Sequence, residues 1–174
     1  MKNTIGTFRR PCTLGLLSLG LGLSVIPLNS AFATSDTWTG SSSATWATNA
    51  NWSTTPATVP GSGDTATFSG ASANTTIDLG SGVTIGALLF DTSSAAAYTI
   101  GTGSSQTLTL GTVGNAITMN STVANNQIIA ASLALATTST AGTTSTYYTV
   151  TNNSTTNSLT LSGGMHSSPQ QGPT

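Results

Sequence analysis

Apolar residues in this chain come in short pairs spaced two apart: Ile77/Leu79, Val83/Ile85, Leu88/Phe90, Tyr98/Ile100, Leu108/Leu110, Ile117/Met119, Leu133/Leu135, Tyr148/Val150 and Leu159/Leu161. A period of two is that of side chains on one face of a β-strand. The residues between are mostly Thr, with Ser, Ala, Gly or Asp, which suit an outer face. Thr is also β-branched and favours strand. No apolar stripe at helical spacing occurs past residue 33, and no charged pairs are present there to support a helix. Gln127 to Ala136 alternates well enough to read as one longer strand.

Glycine follows many of the pairs, at Gly80, Gly86, Gly101 and Gly111. Glycine gives the backbone the freedom that a corner needs. Short strands, glycine corners and very little charge predict an all-β chain, a right-handed parallel β-helix or solenoid. Inward residues would stack in aliphatic columns, and outward Ser, Thr and Asn would form ladders. An antiparallel β-sandwich is the alternative, because its short strands read similarly. A solenoid also needs closed ends, since an open terminal coil exposes unpaired backbone and the apolar interior.

The N-terminus has a different texture. Lys2, Arg9 and Arg10 are the only basic residues, and a Leu-rich apolar run follows from Thr13 to Ile26. Ala31-Phe32-Ala33 then gives a small-x-small end, so residues 1–33 read as a secretory signal peptide cleaved between Ala33 and Thr34. The apolar run is shorter than the roughly 20 residues a spanning helix needs. Cys12, the only cysteine, would leave with the signal. The chain from Thr34 onward then has no disulfide and no thiol. It keeps Asp36, Asp64, Asp78 and Asp91 with no Lys, Arg or Glu. A chain without cations is poorly suited to nucleic acid or anionic membrane. The expected organisation is signal peptide 1–33, Trp-rich N-terminal cap 34–70, β-strand repeat segment 71–162 and disordered tail 163–174.

Few residues invite a chemical role. His166 is the single histidine and lies at the edge of the expected tail, and Gly61-Ser62-Gly63 lacks the spacing of a nucleophile turn. The four Asp read as turn formers rather than as an acid–base pair. No calcium-loop pattern occurs, and no cofactor motif is evident. An enzyme is therefore not expected. Trp38, Trp46 and Trp52 are the sharper candidates. Exposed tryptophans would stack on sugar rings and make a small secreted glycan-binding module. Three tryptophans ahead of a solenoid would equally cover its open apolar end, with each N–H seeking a partner. The cap is the favoured reading.

Trp38-Thr39-Gly40, Trp46, Asn51-Trp52-Ser53, the run from Pro60 to Phe68, Ile77-Asp78-Leu79 and the run from Val83 to Asp91 follow one another in a characteristic order, continued by Tyr98-Thr99-Ile100-Gly101 and Leu108-Thr109-Leu110-Gly111. This order resembles the N-terminal part of bacterial proteins with autotransporter-associated β-strand repeats. The resemblance implies a β-helical passenger of a surface or secreted protein, and no catalytic residues. Family members are usually longer, with more repeats and then a membrane β-barrel or a sorting tail. Neither pattern is read here, so a truncated or frameshifted frame is expected. The expected function is a non-catalytic structural or adhesive segment. Its place would be the cell exterior or outer-membrane surface, or the periplasm if a missing C-terminal part is needed for secretion. Surface glycans and other β-solenoid chains are the expected partners. N-terminal sequencing of the exported protein should begin at Thr34; an intact Met1 would refute the cleavage.

Overall fold

The computed structural model describes residues 35–111, 116–136 and 147–167. The signal-peptide segment and its cleavage point lie outside the described residues, as do residues 168–174 of the expected tail. Thirteen short strands and one 3-10 turn, Asn49–Asn51, make up the regular structure of the described residues. The strands are β1 (Ser35–Thr37), β2 (Thr65–Phe68), β3 (Thr76–Ile77), β4 (Val83–Ile85), β5 (Ala87–Phe90), β6 (Thr99–Ile100), β7 (Thr107–Leu110), β8 (Ala116–Met119), β9 (Gln127–Ile129), β10 (Ser132–Leu135), β11 (Thr149–Asn152), β12 (Leu159–Leu161) and β13 (Met165–Ser167).

Every third strand stacks on the last. One sheet runs β1-β2-β5-β8-β11, a second β3-β6-β9-β12 and a third β4-β7-β10-β13. Every ladder between these strands is parallel. The protein is thus a β-solenoid of about 4 turns, three strands to the turn. An antiparallel sandwich does not describe it. We number the coils 1 to 4, beginning at β2, β5, β8 and β11. No helix of the described residues is long and apolar enough to cross a membrane.

Stacking in register turns the paired apolar residues into columns. Ala66, Leu88, Ile117 and Val150 form one, and Phe68, Phe90, Met119 and Asn152 another. Ile77, Ile100, Ile129 and Leu161 run down the second sheet. Val83, Leu108, Leu133 and Met165 run down the third. In coils 1 to 3 nearly all of these side chains are buried, each contributing on the order of 1.5–3 kcal/mol. The outward columns are largely hydroxylated: Thr37, Thr67, Leu89, Thr118 and Thr151 on the first sheet, and Thr76, Thr99, Ile128 and Thr160 on the second.

The corners explain two departures from the sequence reading. Gln127 to Ala136 is two strands, not one. The Ile100 carbonyl accepts the N–H groups of both Ala130 and Ala131, at 2.8 and 3.0 Å, and the chain turns there. Gly101, with φ +87°, lies so close beside this turn that a Cβ would stand 2.6 Å from that of Ala131. The same turn recurs one coil on, where the Ile129 carbonyl accepts from Ser162 and Gly163. This is the second departure: the expected disordered tail from 163 begins instead with an ordered corner. Gly163 packs against Ala131 where any Cβ would meet its carbonyl oxygen at 2.1 Å. Met165–Ser167 then pairs with Leu133–Leu135 as β13. The glycines that looked like the start of a loose end serve as a corner.

The aromatic pair Phe68 and Phe90, with ring centroids 5.7 Å apart, lies inside coils 1 and 2. Phe90→Ala should cost about 3–5 kcal/mol, because neighbouring coils fixed by parallel ladders cannot collapse into the space. Urea unfolding followed by circular dichroism checks this; a loss under 1 kcal/mol would mean the column is not the source of stability.

Candidate functional site

The three tryptophans converge above Phe68. Trp38 follows β1, whose parallel register on β2 places it directly over Phe68. A bridge joins Trp38 to Trp52, immediately after the 3-10 turn. Trp46 reaches the same place because its N–H donates to the Asp78 carbonyl at 2.9 Å, and Thr45 bridges Asp78 in coil 1. Trp38 and Trp52 pack edge to face at 5.2 Å, and Trp46 and Trp52 at 4.8 Å. All three rings lie close to 6 Å from that of Phe68. Phe68 in turn meets Tyr98 edge to face at 4.9 Å. Such contacts add to the area that each indole buries.

Two polar side chains hold the segment that carries these rings. Asp36 is buried and occupies the top of the column that continues as Ala66 and Leu88. Its Oδ1 accepts from the N–H groups of Thr37, Ser53 and Thr54 and from Ser53 Oγ, and its Oδ2 from Thr54 Oγ1, all at 2.7–3.0 Å. With no cation among the described residues, these bonds alone offset the loss of water around the carboxylate. Asn51 is completely buried. Its Oδ1 accepts from Ser42 and Ser43 N–H, while Nδ2 donates to Ser43 Oγ and the Thr45 carbonyl. The carboxylate thereby ties Ser53 and Thr54 to β1, and the amide ties the stretch from Ser42 to Thr45 to the 3-10 turn.

Below the cap, polar side chains staple coil to coil. Gln106 Oε1 accepts from Leu79 and Thr102 N–H, and its Nε2 donates to Asp78. The Gly80 N–H and then Gln106 hold the Asp78 carboxyl below its ordinary pKa. Gln127 binds the Tyr98 N–H and donates to the carbonyls of Ala96 and Asn125. Asp91 takes Thr92 N–H and Asn120 Nδ2, both at 2.8 Å. Asp64 takes Gly61 N–H at 2.7 Å. Tyr98 donates to the Gly70 carbonyl at 2.6 Å, and burial pushes its phenol up to about 12. Gln106, Gln127, Asn51 and the burial of Asp36 were not foreseen from sequence. The one available signal is that each glutamine stands two residues before an inward apolar residue, Leu108 in one case and Ile129 in the other.

The residues singled out from the sequence do not assemble into a reactive centre. His166 lies on β13, exposed, with Nδ1 3.0 Å from Ser132 Oγ, so a Ser–His contact exists on an open surface. The described carboxylates belong to the cap and to coils 1 and 2, each engaged in turn or inter-coil bonds. Among the described residues no three metal-ligating side chains cluster. Trp38, Trp46 and Trp52 do come together, but at 1–3 % exposure they face one another and Phe68. Their ring faces are not displayed for stacking on a sugar. Compared with protein-family models, curated proteins and solved structures, the chain matches none.

The indole N–H groups differ in a way that can be tested. Trp38 donates to the Asn74 carbonyl at 3.1 Å and Trp52 to the Trp46 carbonyl at 2.9 Å, while buried Trp46 Nε1 has no hydrogen-bond partner. An unpaired buried donor costs about 1–3 kcal/mol, so removing it offsets part of the lost packing. Of the three Trp→Phe variants, Trp46→Phe should be the least destabilising by about 1 kcal/mol or more. Urea midpoints of the three compare them; an equal or larger loss at Trp46 would refute this account.

Proposed function

We propose that this chain is a non-catalytic structural or adhesive segment of an exported bacterial protein, a rod whose outer faces rather than any pocket meet its surroundings. The observation that carries the reading is the tryptophan cap. The residues best suited to hold a sugar are spent on closing the apolar end of a solenoid. What lies outside is a set of parallel ladders rich in threonine, such as Thr118 and Thr151 on one sheet and Thr76, Thr99 and Thr160 on another. Repeated hydroxyls at strand spacing offer many weak polar contacts, as an adhesive or space-filling surface requires.

The β-helical passenger implied by the resemblance to autotransporter-associated β-strand repeats accords with a solenoid of about 4 turns. That resemblance, with the basic start and apolar run of residues 1–33, supports export to the outer surface or the extracellular space. Surface glycans and other β-solenoid chains are the partners that hydroxyl ladders and open strand edges would suit.

Purified protein incubated with a panel of polysaccharides tests the reading. Retention on some of them is expected, without release of reducing ends and without change in tryptophan emission. Turnover that tracks with the protein would overturn the non-catalytic assignment, and an emission shift on adding a glycan would move binding to the cap.

A further inference from the structure

The bonds of this stack are of two kinds, near and far along the chain. Those inside the cap are near. Asn51 bonds Ser42, Ser43 and Thr45, Trp52 bonds Trp46, and Ser41 bonds Ala50, all across six to nine residues. Asp36 gathers Ser53 and Thr54 across 17 and 18 residues. Side-chain bonds from coil to coil are far. They span 23 to 28 residues between coils 1 and 2, and 29 to 31 between coils 2 and 3. Between coils 3 and 4 they span 32 to 34. Closing a longer loop costs more conformational entropy, so the near contacts form most readily.

The reward for the first far contact is concentrated in the same place. Every close ring pair among the described residues joins members of one set: Trp38, Trp46, Trp52, Phe68, Phe90 and Tyr98. These belong to the cap and to coils 1 and 2. The large buried apolar residues of coil 3 are Ile117, Met119, Val123, Ile129 and Leu133, none of them aromatic. Trp38 Nε1 reaches the Asn74 carbonyl across 36 residues, and Asn74 Nδ2 reaches the Gly40 carbonyl across 34. Docking the cap on coil 1 is thus a long closure, and three indoles meeting Phe68 offset its cost.

We infer that the cap, with Phe68, Phe90 and Tyr98, is the folding nucleus of this chain, and that the later coils are laid on this template in chain order. In a stack whose units touch only their neighbours, folding can start at any unit and spread. Here a single region combines the nearest contacts with the largest buried rings. Once coil 2 is in place, each further coil lays its strands on an edge already formed. Growth cannot run the other way on the first sheet, because Ser53 takes the outer edge of β1. Its N–H donates to the Thr37 carbonyl at 3.1 Å, and its Oγ accepts from the Thr37 N–H at 3.2 Å. A partly folded chain then offers one open edge of that sheet instead of two, which limits pairing with other chains. The cap sets the direction of folding as well as closing the finished stack.

Refolding and unfolding rates of the full chain, measured across urea concentrations, test this. Phe68→Leu and Asn51→Ala should slow refolding by about five-fold or more and change unfolding by less than about two-fold. Ile129→Ala and Leu133→Ala in coil 3 should do the reverse, speeding unfolding and leaving refolding within about two-fold. Refolding unmoved by Phe68→Leu, or slowed as strongly by the coil 3 substitutions, would overturn the inference. If these variants do not fold, pulsed hydrogen exchange during refolding of the unsubstituted chain decides. The amides of Trp38 and Asp91, bonded to the Thr67 and Phe68 carbonyls, should be protected first. Those of Asn153 and Ser162, bonded to the Met119 and Ile129 carbonyls, should follow, and their protection at the same time or earlier would overturn it.

Discussion

A stack of parallel coils has an inside and therefore two ends, and closing an end is the constraint on which this structure depends. Each coil buries its inward side chains against the coil before and the coil after. The first coil has nothing before it except what the preceding segment supplies. Here that segment brings three indoles over Phe68 and anchors them with two buried polar groups, Asp36 and Asn51. The same solution shapes what the surface offers. Large aromatic rings are natural sugar-stacking groups, and the cap consumes them. What the outer faces then present is largely repeated hydroxyls.

Polar groups in the interior serve the same end. Gln106 and Gln127 each bind a backbone N–H in the preceding coil that faces away from any ladder partner, Leu79 in one case and Tyr98 in the other. A corner leaves such groups without strand partners, and an amide that both donates and accepts can serve several at once. Asp36 does so with a carboxylate, and the donors around it take the place that a counter-ion would otherwise fill.

How much of this was legible in the sequence depends on the residue. The inward columns were readable because period two survives any change of corner: Leu88/Phe90, Leu108/Leu110 and Ile117/Met119 all point inward. The corner at Ala130-Ala131 was hidden because both residues are small and apolar, so alternation continues through the bend. The strand at Met165 was hidden behind two glycines that resemble the start of a tail. Burial of the tryptophans was the favoured reading, with exposed rings for sugar as the alternative, since composition places an indole near an end without saying which way it faces. The roles of Asp36, Asn51 and the glutamines depend on neighbours far along the chain, and no local pattern encodes them.

The connections from one coil to the next carry a further consequence. Coil 1 passes into coil 2 through a single residue, Gly86, whose Cβ would lie 2.6 Å from the Asp64 carbonyl oxygen if it had one. The equivalent passage from β7 to β8 takes residues 111–115, and that from β10 to β11 takes 136–148. Strand register is the same across all three, so added chain length is absorbed without disturbing the sheets. Connections of one, five and thirteen residues therefore lead into the same sheet at the same register. The entry to that sheet is where a foreign peptide could be grafted at least cost to the fold.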